Sequence, residues 1–326
     1  MRYIISSLLL TLLFNGNTAF AASTTEYVTW TGIGPDKWSS AWLIHRHIDP
    51  GATIRVIETG HKPESGTAFD VPEMPPYFRD PKRTTYESLI SGFTVSNSIL
   101  KQIGGIIHDI EVNFWGGKQS ISAPLVESAF RGLQLKYGRE NVPRSCYFQL
   151  FDNLYTYFEK ESGSIQISNL EQAIKHDRSC GSVKNITAIS DKKYVEEWKP
   201  QEILAFLDAG DIVVFIDTRE SDEFKEGHIP GAINIKLRDI GGELPEEVKR
   251  ADVVIPYCVK DFRGFEVAKR LKILGVQKVG LMNPWGISGW KASGLPVAGT
   301  RGLQQLEAIR KLDHCVKQPS ECIKDV

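Results

Sequence analysis

Apolar residues in the second half of the chain fall into short blocks separated by stretches with helical spacing. Pro200 to Ala209 carries apolar positions at helical intervals, and Asp211 to Asp217 (DIVVFID) is a compact apolar run of strand length. Gly227 to Ile235 turns into another short strand (AINI), Val253 to Tyr257 reads as a buried strand, Phe265 to Leu274 as a helix, and Val276 to Met282 as a further strand. Such alternation predicts a largely parallel sheet covered by helices, with the loops at the strand ends forming the site. The first half is patterned differently. Glu26 to Trp30 and Ala52 to Glu58 read as strands, and the remaining periodicity is helical: Asp36 to Ile48, with Asp36 as N-cap and Trp38, Ala41, Trp42 and Ile48 on one face, then Tyr86 to Ile90, Ile99 to Val112, Ser122 to Leu135 and Cys146 to Phe158. The predicted class is α/β, a parallel sheet flanked by helices preceded by a mainly helical α+β domain.

The first residues set the compartment. Met1 and Arg2 precede an apolar run, IISSLLLTLLF, and then Ala19-Phe20-Ala21, the order of a cleaved secretory signal. That run falls short of the roughly 20 residues of a membrane span, and no later segment approaches that length. The expectation is a periplasmic protein without a membrane span. The length fits two domains, with a signal peptide over 1–22, a first domain over 23–162, a linker over 163–198, a second domain over 199–300 and a tail over 301–326. A net charge of -1 gives no electrostatic footprint for nucleic acid.

In an oxidising compartment the 5 cysteines become informative, because an odd number leaves one free or paired outside the chain. Cys315 and Cys322 lie close together in a polar tail, and Cys146 and Cys180 flank one region. The economical pairing leaves Cys258 alone, between the Val253 to Tyr257 strand and the following helix. A tight turn there aims backbone N–H groups inward and the helix adds its positive end, so the expectation is a sulfur pushed toward thiolate.

The stretch from about Lys199 to Thr300 resembles a rhodanese domain, the sulfurtransferase module. The matching pieces are Asp217-Thr218-Arg219 with Glu223 and Phe224, Gly227-His228-Ile229-Pro230-Gly231-Ala232, the Cys258 loop, and Gly286 with Trp290, Gly294, Leu295 and Pro296. The loop from Cys258 to Arg263 is one residue shorter than in related phosphatases, which favours a sulfur-sized electrophile over phosphate. The resemblance implies a sulfur relay through a persulfide on Cys258, from a small anionic donor such as thiosulfate to a thiol acceptor, with no cofactor required. Arg263 is then the anion clamp, Lys260, Asp261 and Gly264 complete the substrate-binding loop, and Asp217 and Arg219 pair to support it. Asp261 stands where glycine is common in active members. Its carboxylate is expected to repel a dianion and raise the thiol's pKa, and aspartate tolerates left-handed geometry there. Removal of that carboxylate, Asp261→Gly, is expected to raise thiosulfate turnover. Trp285 also replaces a common glycine and is expected to narrow the entrance.

Most of Tyr27 to Phe158 resembles the exported chromate-resistance family. The carrying residues are Trp42-Leu43-Ile44 with Arg46 and Asp49-Pro50, Phe69-Asp70-Val71-Pro72, Thr85-Tyr86-Glu87 and Ile107-His108-Asp109-Ile110-Glu111. His108, Asp109 and Glu87, with Asp70, form a candidate set for a divalent metal, against the alternative that His108 and Asp109 hydrogen-bond within a helix and that Asp70 caps or pairs with a lysine. Lys37 and Arg46, with His45 and His47, form a candidate patch for a chromate-like oxyanion, against the alternative of solvated basic residues. Three readings remain open: a sulfurtransferase, an oxyanion stress or binding protein, and a catalytically weak rhodanese module used for docking or redox sensing.

Overall fold

The structure, a computed structural model, describes residues 25–324 apart from 73, 81, 113–119, 162–163, 176–179, 181–185, 188–194 and 241–242. The signal-like segment lies outside the described residues. The first domain runs β1 (Glu26–Trp30), α1 (Pro35–Leu43), β2 (Thr53–Ile57), β3 (Thr67–Ala68), α2 (Thr85–Gly92), α3 (Ser98–Glu111), α4 (Ala123–Tyr137), α5 (Arg144–Lys160), α6 (Ile167–Ile174) and β4 (Ile186–Thr187). Its strands form a parallel sheet in the order β3-β1-β2-β4, so the first domain holds a small parallel sheet beneath its helices.

The second domain continues with β5 (Glu196–Trp198), α7 (Pro200–Asp208), β6 (Val213–Asp217), α8 (Ser221–Glu226), β7 (Ile233–Asn234), α9 (Glu246–Lys249), β8 (Val253–Tyr257), α10 (Phe262–Ile273), β9 (Gly280–Met282) and α11 (Gly286–Ala292), followed by α12 (Gln305–Lys317) and α13 (Pro319–Cys322). Strands β7, β6 and β8 pair in parallel, a bridge between Val254 and Val279 joins β8 to the β9 segment, and β9 pairs with β5. The parallel sheet predicted from the alternating pattern is present. β8 is buried along its whole length, as its unbroken apolar sequence demands of a central parallel strand.

Local sequence accounts for most element ends, with two differences from expectation. Helix α1 starts at Gly34 with Pro35 in its first turn, where the fixed φ of proline costs no hydrogen bond. Asp36 is therefore not its N-cap. Its buried carboxylate instead accepts the Thr85 amide at 2.8 Å and the Tyr86 amide at 3.0 Å, so it caps α2, 49 residues further along the chain. The helix continues past Leu43 as a π-helical turn over Ile44–Ile48. Within the expected linker, α6 buries Leu170 and Ile174, so 163–198 is not simply a spacer.

The core of the first domain is aromatic: Trp38 stacks on Tyr147 with centroids 5.7 Å apart, and Phe130 stacks on the other side at 4.4 Å. The same buried cluster runs on through Phe262, Phe265 and Leu271 of α10, so the two domains share one apolar core. Disulfides join Cys146 to Cys180 and Cys315 to Cys322, the pairing expected, and leave Cys258 free and buried. The first closes the longer loop, with a sequence separation of 34, and constrains the unfolded chain more. Replacement of Cys146 and Cys180 together by serine should lower unfolding free energy by about 3 kcal/mol, read from non-reducing denaturant titration. The same change at Cys315 and Cys322 should cost less, and the reverse order would show that native packing rather than loop closure dominates.

Candidate active site

Cys258 sits immediately after β8, and the loop Val259-Lys260-Asp261 carries the chain into α10. The loop is shaped from beneath by α11, whose Ile287 amide donates to the Cys258 carbonyl at 2.9 Å and whose Ser288 amide donates to the Val259 carbonyl at 3.0 Å. Gly286 makes that approach possible. Its φ is +65°, and a Cβ there would lie 1.6 Å from the Lys260 carbonyl oxygen. Gly264 serves the other side, since a Cβ on it would come within 2.9 Å of the Pro256 carbonyl oxygen, and α10 could not lie so close to β8.

The thiol is 1% exposed. Burial pushes its pKa up, against the opposing field of Arg263 and a hydrogen bond from the Gly264 amide; Glu111 of the first domain and Asp261 push in the same direction as burial. The expected depressed thiolate is thus corrected: the turn and helix end are in place, but desolvation outweighs them. Arg263, in the first turn of α10, is buried beside the sulfur's field, with Glu223 at 3.5 Å and with Nε and Nη2 lacking partners. Asp217 and Arg219 pair with each other, Nε to Oδ1 at 2.9 Å and Nη2 to Oδ2 at 2.6 Å, both fully buried at the end of β6.

Asp261 departs furthest from expectation. Its backbone φ is negative, at -144°, so no left-handed tolerance is used. Its carboxylate is 1% exposed and turned into the first domain, where it pairs with Arg131 of α4 at 2.9 Å and with Arg139 just beyond α4. Burial alone would raise its pKa, yet the two guanidinium groups outweigh burial and hold the carboxyl below its ordinary range. It is therefore a domain-joining residue, not part of a substrate-binding surface, and it is the weakest of the named influences on Cys258. Trp285 belongs to the same junction: the Arg131 guanidinium lies 3.8 Å from its ring centroid and 4.5 Å from that of Phe262. Lys260 pairs with Glu127 of α4 at 3.2 Å, and Lys269 with Glu140.

The two domains enclose a small cleft of about 70 Å³. One wall is the chain after β1, from Trp30 to Gly34, with Asp36, Lys37, Asp70, Arg79 and Glu111; the other is Thr218, Glu220, Leu237, Arg238, Phe262, Arg263 and Glu266. The carboxyl ends of strands from both parallel sheets thus face one space, the position where open α/β sheets bind ligands. Glu111 ends α3, is 4% exposed and pairs with Arg79 at 3.2 Å. It faces Gly34, where an added Cβ would lie 3.1 Å from Oε1 and 3.4 Å from Phe262 Cβ. Glu111 was legible as part of a motif but not as a neighbour of Cys258; Arg79, Arg131, Arg139 and Glu266 carried no sequence signal.

The two candidate patches of the first domain are not assembled as expected. Lys37 lines the cleft but is paired with Asp70, whereas Arg46 lies outside its lining and is held by Asp152 through two bonds of 3.1 and 3.0 Å. Glu87 and His108 do meet, at 3.0 Å, but Glu87 is also the capping-box residue of α2. Asp109 accepts the Ser120 amide at 2.7 Å instead of joining them. No group of three or more potential metal ligands occurs among the described residues. The correction has a simple cause: consecutive helical residues such as His108 and Asp109 point about 100° apart and cannot both face Glu87.

Asp261→Asn should remove the counter-charge that Arg131 and Arg139 share, leaving them only Glu127 and Glu197, and cost about 3 kcal/mol. The expected readout is a lower denaturation midpoint together with faster alkylation of Cys258 as the roof loosens. An unchanged midpoint and unchanged alkylation would show that apolar packing alone holds the domains together.

Comparison with known proteins matches residues 27–158 to the family described as ChrB, C-terminal domain, and residues 199–293 to the rhodanese-like domain. Protein ChrB of Cupriavidus metallidurans is 26% identical over 135 residues, covering 41% of this chain and 40% of that protein. An HTH-type transcriptional regulator of Mycobacterium tuberculosis is 31% identical over 100 residues, covering 29% of this chain and 42% of that protein. The chain spans about two fifths of the length of both relatives. Among solved structures, a thiosulfate sulfurtransferase from Pseudomonas aeruginosa is similar at 25% identity and a TM-score of 0.30, over 32% of this chain and 20% of that one. The BH2092 protein of Bacillus halodurans is similar at 26% identity and a TM-score of 0.27, over 35% of this chain and 88% of that one. The chain therefore joins a domain of the ChrB C-terminal type to a rhodanese-like domain.

Proposed function

We propose that this protein is an exported sulfurtransferase of the rhodanese type that carries sulfane sulfur as a persulfide on Cys258, with the first domain closing the transfer site. The observation that carries this reading is the free Cys258 at the carboxyl end of β8, with the Gly264 amide on its sulfur and the Arg263 guanidinium beside it. In the loading step Cys258 loses its proton and its thiolate attacks the outer sulfur of a donor. The new S–S bond forms as the donor's own bond to that sulfur breaks, and the departing group is stabilised by Arg263 and the loop amides. In the second step an acceptor thiolate takes that sulfur and returns Cys258. Lys260 is held by Glu127, so Arg263 is left as the cation of the loop that serves the reaction.

Export is supported by the charged, apolar and small-residue order at the start of the chain and by the two disulfides, which persist in oxidising compartments. No described helix is long and apolar enough to cross a membrane.

Intact mass of the mature protein under non-reducing conditions, after exposure to sulfane donors, tests the reading. One sulfur mass should be gained by wild type and not by Cys258→Ala, with both disulfides retained. No gain from any donor while Cys258 remains alkylatable would refute it. The pH dependence follows from the raised thiol pKa, because the attacking form is the thiolate and its fraction grows as pH rises. Loading should accelerate tenfold per unit through neutrality and keep rising between about pH 7 and 9. A plateau below pH 7 would instead indicate a depressed pKa.

A further inference from the structure

Cys258 lies among largely buried ion pairs drawn from both domains. Within the second domain Asp217 holds Arg219, and Glu223 meets Arg263 at 3.5 Å; from the first domain comes the pair of Glu111 and Arg79. Glu111 ends α3 and closes the Ile107 to Glu111 motif, which the sulfur relay leaves without a role. Arg79 fixes it from one side, with Nη1 donating to Oε2 and Nη2 donating to the Glu111 carbonyl oxygen, both at 3.2 Å. On the other side its Oε1 reaches the first turn of α10, because a Cβ on Gly34 would lie 3.1 Å from Oε1 and 3.4 Å from Phe262 Cβ. Phe262 precedes Arg263, and Glu111 and Arg263 both line the cleft. The negative groups acting on Arg263 are Glu223, Cys258 and Glu111, and Glu111 acts on Cys258 more strongly than Asp261 does. With Cys258 protonated, the three ion pairs cancel one another. Glu111 is 4% exposed and Arg263 9%, so water screens an added charge only weakly, and the charge a donor brings decides how well it is accepted.

We propose that Glu111 is a specificity-determining residue supplied by the first domain, which turns away dianionic donors such as thiosulfate and admits hydropersulfides R–S–SH whose R group is uncharged. This rests on the persulfide reading above and names its donor class. The repulsion expected of Asp261 belongs to Glu111 instead, since the Asp261 carboxylate is taken up by Arg131 and Arg139. Thiosulfate would add two negative charges near Glu111, Glu223 and the attacking thiolate, against an Arg263 that Glu223 already shares. An uncharged hydropersulfide adds none until it reacts. Cys258 gives up its proton, its Sγ bonds to the terminal sulfur as the donor S–S bond breaks, and RS⁻ leaves and takes up that proton. The products are the Cys258 persulfide and R–SH, with no net oxidation or reduction. The single charge formed on RS⁻ in passing is one that Arg263, whose Nε and Nη2 lack partners, can stabilise.

The test reads Cys258 loading of the full mature protein by intact mass, against Cys258→Ala, with three donors at equal concentration and one pH. These are 2-hydroxyethyl hydropersulfide, whose R group is uncharged, the hydropersulfide of 3-mercaptopropionate, whose R group carries one negative charge, and thiosulfate, which carries two. Wild type should load from the first at least roughly tenfold faster than from the second, the worth of one weakly screened charge contact. Glu111→Gln should shrink that ratio and raise loading from thiosulfate relative to the uncharged donor. Arg79→Gln breaks the same ion pair but keeps the carboxylate, so it should widen the ratio; loss of packing alone would move both variants the same way. If one variant does not fold, the direction taken by the other decides. A wild-type ratio near one, or changes of the same direction in both variants, would overturn selection by Glu111 while leaving the persulfide relay standing. No loading of wild type by any donor would overturn both.

Discussion

A single carboxylate, that of Asp261, is gripped on both sides by guanidinium groups from the other domain, and the geometry of the site depends on that grip. All three groups are largely removed from water, where an ion pair is strong but an unpaired ion is expensive. Once formed, the cluster fixes the cysteine loop against α4 and holds Arg131 between the rings of Phe262 and Trp285. The neighbouring pairs Lys260 with Glu127 and Lys269 with Glu140 extend the same junction along the loop and α10. Apolar contact supplies the bulk of the attraction, through Phe130 against Phe262 and the continuous core behind them. The charges fix the orientation, because a slide of a few ångströms would part the Asp261 carboxylate from both guanidinium groups.

That orientation turns two ordinary parallel sheets into the two walls of one cleft. The chain leaving β1 lines the space from one side, and the chain leaving β6, with the start of α10, lines it from the other. The first domain consequently contributes to the electrostatics of a sulfur it does not carry. Glu111 raises the pKa of Cys258 together with burial, while Arg263 and the Gly264 amide work against them. A thiol held protonated at rest is protected from oxidants, which attack the thiolate.

Much of this was legible in the sequence, and the unread part has a common physical origin. The alternation of strand and helix after Lys199, the placement of Cys258 on a strand-to-helix loop, the disulfide pairing and the Asp217–Arg219 support all depend on periodicity or short separations, which a sequence displays directly. Asp261 was read as a carboxylate aimed at substrate because its own loop was the visible context, whereas Arg139 lies 122 residues away. Asp36 fits a short-range capping rule but caps a helix 49 residues distant. Lys37 and Arg46 share a stretch of helix in sequence, yet each is spent on a different distant acid, Asp70 and Asp152. Charge written along a chain does not say whether it is already neutralised, and for these residues the neutralising partner is distant in sequence.

The same accounting bears on how a substrate reaches a sulfur that is 1% exposed. Opening the domain junction would break the Asp261 cluster, leave buried charges unpaired and expose the shared apolar core, a large cost for a step repeated each turnover. The cleft offers a cheaper route. Arg263 belongs to its lining and is also the strongest charged influence opposing burial at Cys258, and its 3.5 Å contact with Glu223 is looser than the other ion pairs of the cleft. A ligand group that accepts from the Arg263 guanidinium would bind where that field already reaches the sulfur, and the junction could stay closed.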